Sequence, residues 1–192
     1  MRKFERLSPE TRQEEIQTAA LSLFLEKGFA ATTMENIVSR VSLSKGGVYR
    51  IYPSTAAILS DLMLKGMRMR NAFYAERVRD LEGHLDLEAV TGMIVDSLLL
   101  YPEYSRVYVE FLWEKQRNPD LEALYQQICA TTVEETAALV SRCGSPITTE
   151  ALQKLTDIMN GAILSIHVLG RQAYFTENRE LLCRAIGALL KI

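Results

Sequence analysis

The sequence predicts an all-α protein, with a small N-terminal three-helix unit that contains a helix-turn-helix and a larger helical region behind it. Three observations carry this. Apolar residues recur at i, i+3, i+4 and i+7 along almost the whole chain, no alternating run is bounded by hairpin turn signals, and proline or glycine interrupts the pattern at lengths that suit helices. With 192 residues, 48% hydrophobic and 24% charged, the chain can bury a sizeable core without disulfide or metal staples.

The elements follow in order. Ser8 is a helix cap with Pro9 at the first helical position, and Ile16, Ala20, Leu23 and Phe24 form the buried stripe of a helix ending near Lys27-Gly28. Thr33 caps a second, short helix whose inner face is Met34, Ile37, Val38 and Val41. Ser42-Leu43 makes a tight break, Ser44 caps a third helix, Val48 faces inward, and Pro53 stops the helix. From Ser54 a long helix is expected to about Gly83, with Leu59, Leu62, Met63, Met67 and Phe73 inside and Arg68, Arg70, Arg77 and Arg79 mostly outside. Further helices are expected from Asp86 to Leu100, Pro102 to Gln116, Pro119 to Cys143, Thr149 to Ala173 and Thr176 to Lys191. Turns at Tyr101-Pro102, Asn118-Pro119 and Gly144-Ser145-Pro146 separate several of them.

Several classes are excluded. No apolar run reaches the roughly 20 residues of a membrane helix; the best, Ala162 to Gly170, is short and carries His167. The basic start lacks an apolar stretch behind it, so a secretory signal is not expected and the cytoplasm is the expected location. Cys129, Cys143 and Cys183 are odd in number and far apart, which fits small buried hydrophobes better than a disulfide or zinc framework. His84 and His167 are the only histidines, and no nucleophile with its base, metal cluster or cofactor loop has the required spacing. Neither an enzyme nor a cofactor is expected. The net charge of -2 divides at Thr55 into +2 before it and -4 from it onward, which permits nucleic-acid binding at the N-terminal end.

Residues Thr33 to Tyr52 have the proportions of a helix-turn-helix, in which one helix braces a second that lies in the DNA major groove. Ser44, Lys45, Gly46 and Gly47 start that second helix, where free backbone N–H groups favour phosphate. Two glycines there weaken a helix unless something must approach the backbone closely. Tyr49 and Tyr52 offer hydroxyls to phosphate, and Arg50 can pair with phosphate or read a guanine edge. A three-helix cap with half-buried tyrosines shares this spacing, so spacing leaves both readings open.

The stretch from Thr11 to Leu59 resembles the N-terminal domain of the TetR family of bacterial transcriptional regulators. The resemblance rests on Arg12, Ile16, Ala20, Leu23-Phe24, Lys27-Gly28-Phe29, Thr32-Thr33, Ile37, Ser44-Lys45-Gly46, Tyr49 and Tyr52-Pro53-Ser54. It implies a DNA-binding domain over residues 9–70, with Thr33, Ser44, Lys45, Gly46, Gly47, Tyr49, Arg50 and Tyr52 at the operator. It further implies a ligand-binding and dimerisation domain over 71–192 and a homodimeric repressor that a small molecule releases from a palindromic double-stranded operator. The sequence departs from the family pattern at Thr55, where a phosphate-contacting lysine is usual, at Ser42 for a turn glycine, and at Val41, Gly47 and Ile51. Arg2, Lys3 and Arg6 could compensate as an arm. These departures motivate an alternative, a regulator-like dimer with weak DNA affinity that acts through protein partners.

The residues of the larger region can be read for the two remaining tasks. Leu155, Met159, Ala162, Ile163 and Ile166 on one helix, with Leu182, Ile186 and Leu189 on the next, cover more than one face and are the expected dimer interface. Met63, Met67, Phe73, Met93, Tyr104, Tyr108, Phe111, Trp113 and Met159 offer adaptable and aromatic walls for a ligand. Glu110, Glu114, Arg106 and His167 are the polar candidates; a solvated acidic face and a hydrogen-bonded core histidine are the blander readings of the glutamates and of His167.

Overall fold

A computed structural model of the chain describes residues 8–81, 85–144 and 147–190. The arm residues Arg2, Lys3 and Arg6, the expected helix end at Gly83, His84, the Ser145-Pro146 turn and Lys191 lie outside the described residues. Within them the protein is a stack of ten helices, α1 (Pro9–Lys27), α2 (Met34–Val38), α3 (Lys45–Ile51), α4 (Thr55–Asp80), α5 (Leu87–Ser97), α6 (Pro102–Glu114), α7 (Pro119–Ser141), α8 (Thr149–Val168), α9 (Gln172–Glu177) and α10 (Arg179–Leu189).

The caps expected at Ser8 and Gly28 are present. The Ser8 hydroxyl accepts the Thr11 N–H, Pro9 fills the first turn of α1, and the Gly28 N–H closes its end on the Phe24 carbonyl. Ser54 caps α4, Asp86 α5, Asn118 α7 and Thr148 α8, each through a side-chain oxygen that accepts a first-turn N–H. The stretch expected to run as one helix from Thr149 to Ala173 is broken. α8 ends at Val168, Gly170 takes φ +67°, and the short α9 intervenes before α10. Glycine adopts that left-handed conformation at little cost, and the chain uses it to turn.

Two large buried clusters organise the packing. The first joins Ile16, Ala20, Leu23 and Phe24 of α1 to Ile37, Val48, Leu59 and Leu62, and runs on without interruption into Val107 and Phe111 of α6 and Leu121 of α7. The second gathers Val90 and Ile94 of α5, Val140 of α7, Leu155 of α8 and Ile186 of α10. α4 belongs to both, with Leu59 and Leu62 near its start and Val78 near its end. One continuous 26-residue helix therefore crosses the expected domain boundary at residue 70. Such a helix transmits displacement because its own ladder keeps it stiff.

Candidate nucleic-acid interface and ligand cavity

The α2-turn-α3 unit is built by reciprocal capping. Thr33 accepts the Asn36 N–H at 3.3 Å, while Asn36 Oδ1 accepts the Thr33 N–H at 3.0 Å. Ser44 Oγ accepts the Gly47 N–H at 3.2 Å. Val48, fully buried, anchors α3 from its inner side. Lys45, Gly46 and Arg50 are exposed and Tyr49 is half-buried, so they line the outer side of α3. A Cβ built on Gly46 meets nothing within 4 Å; the fold itself makes no demand for glycine there, and the bare backbone faces open space. Ser42, which departs from the family's turn glycine, has no positive φ and is held by Glu15, whose carboxylate accepts its N–H at 2.5 Å and its hydroxyl at 3.0 Å. Thr55 opens α4 as an ordinary first-turn residue behind the Ser54 cap.

The outer face of α3 has its own counter-charge. Glu35 on α2 accepts from Lys45 Nζ at 3.2 Å and from the Tyr49 hydroxyl at 3.2 Å, and the Lys45 ammonium lies 5.6 Å from the centre of the Tyr49 ring. The Glu35 carboxyl is held below the usual carboxylate range by its own backbone N–H and then by Lys45 and Tyr49. Both ion-pair partners are well exposed, which leaves Lys45 exchangeable toward a phosphate.

Tyr52, expected at the DNA, turns inward instead. It is 5% exposed; its hydroxyl donates to Asp61 and accepts from Gln17 Nε2 at 2.8 Å. Gln13 and Gln17 also donate to the same Asp61 oxygen, at 2.7 and 2.8 Å. The aromatic ring seals the α1–α4 contact while the hydroxyl satisfies a carboxylate, a use that spacing cannot separate from a phosphate contact. Burial and then the bond to Asp61 push the Tyr52 hydroxyl up to about 12. For Asp61, burial raises the pKa, but the donors from Tyr52, Gln13 and Gln17 together outweigh it and leave the value below the ordinary one. The network therefore stabilises the fold fully above the unfolded carboxyl value of about 3.9, and that contribution is lost as pH falls through the lower folded value. Tyr52→Phe is expected to cost about 1–2 kcal/mol in urea unfolding at pH 7, because it removes a donor to a charged group, and to cost progressively less as Asp61 protonates. An equal cost at pH 7 and pH 3 would remove Asp61 from the account.

Behind this unit lies a cavity of about 150 Å³ between the two buried clusters. α4 contributes Met63, Met67, Arg70 and Tyr74 to its wall, spaced i, i+4, i+7 and i+11 along one face. α6 adds Tyr104 and Tyr108. Tyr104 packs on Gly66, where an added Cβ would lie 3.3 Å from its ring, so glycine sets how closely α4 and α6 approach. The Tyr108 hydroxyl donates to Asn160 Oδ1 at 3.1 Å, Asn160 Nδ2 donates to the Tyr125 hydroxyl at 3.2 Å, and the Tyr74 hydroxyl donates to Ser97 Oγ at 2.9 Å. Burial pushes the Tyr74 and Tyr108 hydroxyls up, so both stay neutral donors. Tyr101, on the same wall, is the only described non-glycine residue with positive φ, at 51°. That conformation costs about 1 kcal/mol and immediately precedes Pro102 at the start of α6.

Four of the eight expected ligand contacts, Met63, Met67, Tyr104 and Tyr108, thus meet in one cavity with Met159. The other four lie outside its wall. Phe111 is fully buried beside Tyr108, in the cluster with α1 and α4 rather than on the cavity wall. Trp113 is 59% exposed, with the Arg117 guanidinium 5.7 Å from its ring centre. Glu110 lies beside Gly28 at the end of α1, with its Oε1 3.8 Å from a Cβ built there. His167 is half-buried with no bonding partner for Nε2 among the described residues, and burial followed by Arg106 lowers its pKa. Phe73 and Met93 pack in the second cluster. Arg70 reverses its expected outward orientation and is an addition the sequence reading missed. Extending the Met63 and Met67 stripe by one turn reaches it, but its charge suggested solvent.

The expected dimer residues also divide. Leu155, Ile166 and Ile186 are 4%, 4% and 6% exposed within this single chain, and Ile163 lines the cavity, so these four pack inward. Exposed apolar or small residues remain at Ile158, Gly161 and Val168 of α8, at Leu169 just after it, and at Leu181 and Ala185 of α10. Met159, Ala162, Leu182 and Leu189 line a groove between those two helices. Among the described residues no group of His, Cys, Asp and Glu could hold a metal ion, and no helix is long and apolar enough to cross a membrane. Cys129, Cys143 and Cys183 are free and half-buried, and burial raises each thiol's pKa.

An all-helical chain with an N-terminal helix-turn-helix and a cavity behind it defines a class, and comparison with known proteins narrows it. Residues 16–62 match the family model for bacterial regulatory proteins of the tetR family. Over 56 residues the chain is 39% identical to YfiR of Bacillus subtilis, an uncharacterised HTH-type transcriptional regulator; the match covers 29% of this chain and 27% of that protein. YdeS of the same organism, described alike, is 41% identical over 49 residues, covering 26% and 25%. The matched stretch thus spans about a quarter of each of these relatives. Solved structures extend the likeness to the whole fold. A TetR transcription regulator from Haloarcula marismortui superposes with TM-score 0.72 at 18% identity, covering 94% of this chain and 97% of that one. A transcriptional regulator from Saccharomonospora viridis, in complex with choline, gives 0.67 at 17% identity, covering 90% and 94%. Residues 16–62 thus resemble the DNA-binding part of tetR-family bacterial regulatory proteins, and the chain as a whole shares the fold of those solved structures.

Proposed function

We propose that the protein is a homodimeric transcriptional regulator of the cytoplasm, most simply a repressor that grips a palindromic operator and is released by a small molecule. Residues 9–70 act as the DNA-binding domain and residues 71–192 as the ligand-binding and dimerisation domain. The observation that carries this reading is the course of α4. Its first turns bury Ile58, Leu59 and Leu62 against the helix-turn-helix, and its next turns supply Met63, Met67 and Arg70 to the cavity wall. A ligand that favours one position of α4 favours one separation of the two α3 helices in a dimer. Equal affinity for both positions would shift nothing. The choline bound in one structural neighbour supports a small-molecule site in this fold.

On DNA, Lys45 leaves Glu35 for a phosphate, Tyr49 and Arg50 reach the groove, and the Ser44–Gly47 turn lies against the backbone. Selection of bound sequences from a random DNA pool tests this: enrichment of an inverted repeat supports a symmetric reader. No enrichment with steeply salt-sensitive binding favours the alternative, a dimeric module acting through protein partners, which the missing cation at Thr55 and the Lys45–Glu35 pair recommend. On the selected operator, Lys45→Ala is expected to reduce the slope of log affinity against log salt by about one. Tyr49→Ala should weaken operator binding and leave the dimer intact by sedimentation; unchanged affinity would remove α3 from the interface.

A further inference from the structure

We propose, resting on the ligand-release reading above, that the cavity takes a small aromatic carboxylate whose carboxylate pairs with Arg70 and whose ring lies among Tyr104, Tyr108 and Met67.

The charge on the wall gives the sign. Arg70 is the only ionised side chain lining the cavity among the described residues; no carboxylate lines it. Its Nη2 donates to Thr132 Oγ1 at 3.0 Å, also on the wall, which ties the guanidinium to that surface. Its Nε is buried without a hydrogen-bond partner among the described residues. The nearest counter-charge, Glu135 Oε2, stands off at 3.8 Å and is itself unpartnered, because Glu135 accepts from Asn71 Nδ2 at 2.6 Å through its other oxygen. A partly exposed guanidinium whose buried Nε donor is idle and whose nearest carboxylate stands off is under-satisfied, and a planar carboxylate supplies the two parallel acceptors its fork requires. A cationic ligand would meet Arg70 with no wall carboxylate to offset it, which excludes choline-like chemistry from this cavity although the fold elsewhere holds it.

Size and surface give the rest. About 150 Å³ is the volume that admits a benzene-sized ring in a dry apolar cavity. Tyrosine rings and methionines from α4, α6 and α8 provide stacking faces and adaptable thioethers for that ring. The neutral Ser105 and Thr132 hydroxyls on the wall complete the acceptor's partners without adding charge. Occupation by an anion would draw Arg70 along α4 and away from Glu135 on α7, a displacement on the helix that supports the helix-turn-helix.

Calorimetric titration of the full chain with benzoate, benzyl alcohol and choline, without DNA, tests the ligand class directly. Benzoate should bind saturably and about tenfold or more tighter than benzyl alcohol, and choline should not bind. Arg70→Met should remove the benzoate preference while circular dichroism keeps the helical signal, and Arg70→Lys should restore part of it. Glu135→Gln lies off the wall, and by removing the competing carboxylate it should tighten benzoate severalfold. Equal binding of benzoate and benzyl alcohol, stronger binding of choline, no saturable binding of benzoate to folded protein, or a benzoate preference that survives Arg70→Met would each overturn the proposal. The same probes are then tried on the operator complex. Arg70-dependent binding that leaves DNA bound would reject the release mechanism and keep the ligand class; release by choline or benzyl alcohol alone would do the reverse.

Discussion

If the protein is the proposed dimer, the double substitution Ile158→Asp, Val168→Asp is expected to convert it to monomers in sedimentation velocity and to abolish binding to an inverted-repeat operator. Both side chains are exposed in the single chain, at 53% and 62%, so neither change should disturb the fold. Both are exposed apolar residues of α8, and Ile158 lines a groove with Ala185 of α10. In a two-fold interface every substitution acts twice, and burying a side chain of this size is worth about 1.5 kcal/mol at the lower end. Two residues in two copies therefore amount to about 6 kcal/mol, or roughly ten-thousandfold in the dimer dissociation constant, before the repulsion of the introduced charges is counted. An intact dimer at micromolar concentration would mean that α8 and α10 do not form the interface. Ile163→Asp is not a clean test of the same question, because Ile163 lines the cavity and its replacement would introduce a charge into the chain's own interior.

Phe111→Ala carries the second large effect, and it is one of stability. The ring is fully buried, 5.7 Å from Tyr108 and 6.4 Å from Tyr125 between ring centres, and joins α6 to the α1 and α4 residues of the first cluster. Removing it leaves a void among stiff helices and is expected to cost about 3–5 kcal/mol, a large share of an ordinary domain's 5–15. Urea unfolding should show the midpoint falling with little change in slope. A loss below about 1 kcal/mol would mean the site relaxes to fill the void. Because the cluster includes the core of the helix-turn-helix, the same variant should loosen the coupling between the cavity region and α3. That outcome separates Phe111 from Tyr108, one turn away, whose ring borders the cavity.

The contrast between Phe111 and Tyr108 illustrates what could be read from the chain and what could not. Helix positions were legible because caps and breakers act locally: Ser8-Pro9, Thr33, Ser44, Ser54 and Asn118-Pro119 each satisfy or terminate a turn using neighbours within four residues. The outer residues of α3 were legible for the same reason, since Ser44, Val48 and Pro53 orient a seven-residue helix almost by themselves. Which inward face meets which neighbour was not legible. On α6 the pairs Tyr104 with Tyr108 and Val107 with Phe111 have identical spacing and similar polarity, yet one borders the cavity and the other seals the core.

Tyr52 and Arg70 were misread through the same gap. A tyrosine just after α3 offers its hydroxyl equally to phosphate or to Asp61, nine residues on, and only the docking of α4 against α1 brings Gln17 and Asp61 to it. An arginine on a long amphipathic helix belongs in solvent by its charge, until α7 presents Thr132 and Glu135 beside it. Of the residues expected at the dimer face, Leu155, Ile166 and Ile186 are buried within the single chain, since α8 is apolar on more than one side and composition cannot rank the sides. The sequence by itself determined the all-helical class, the helix-turn-helix with its caps and the likeness of the N-terminal stretch to a known family, because these depend on contacts within a turn or on a local pattern; it missed the break at Gly170 and the short α9. Tertiary structure alone decided the cavity, the placing of Arg70 on its wall and which faces of α8 and α10 stay exposed, because each arises from helices far apart in the chain that are brought together only by burying their shared apolar surface.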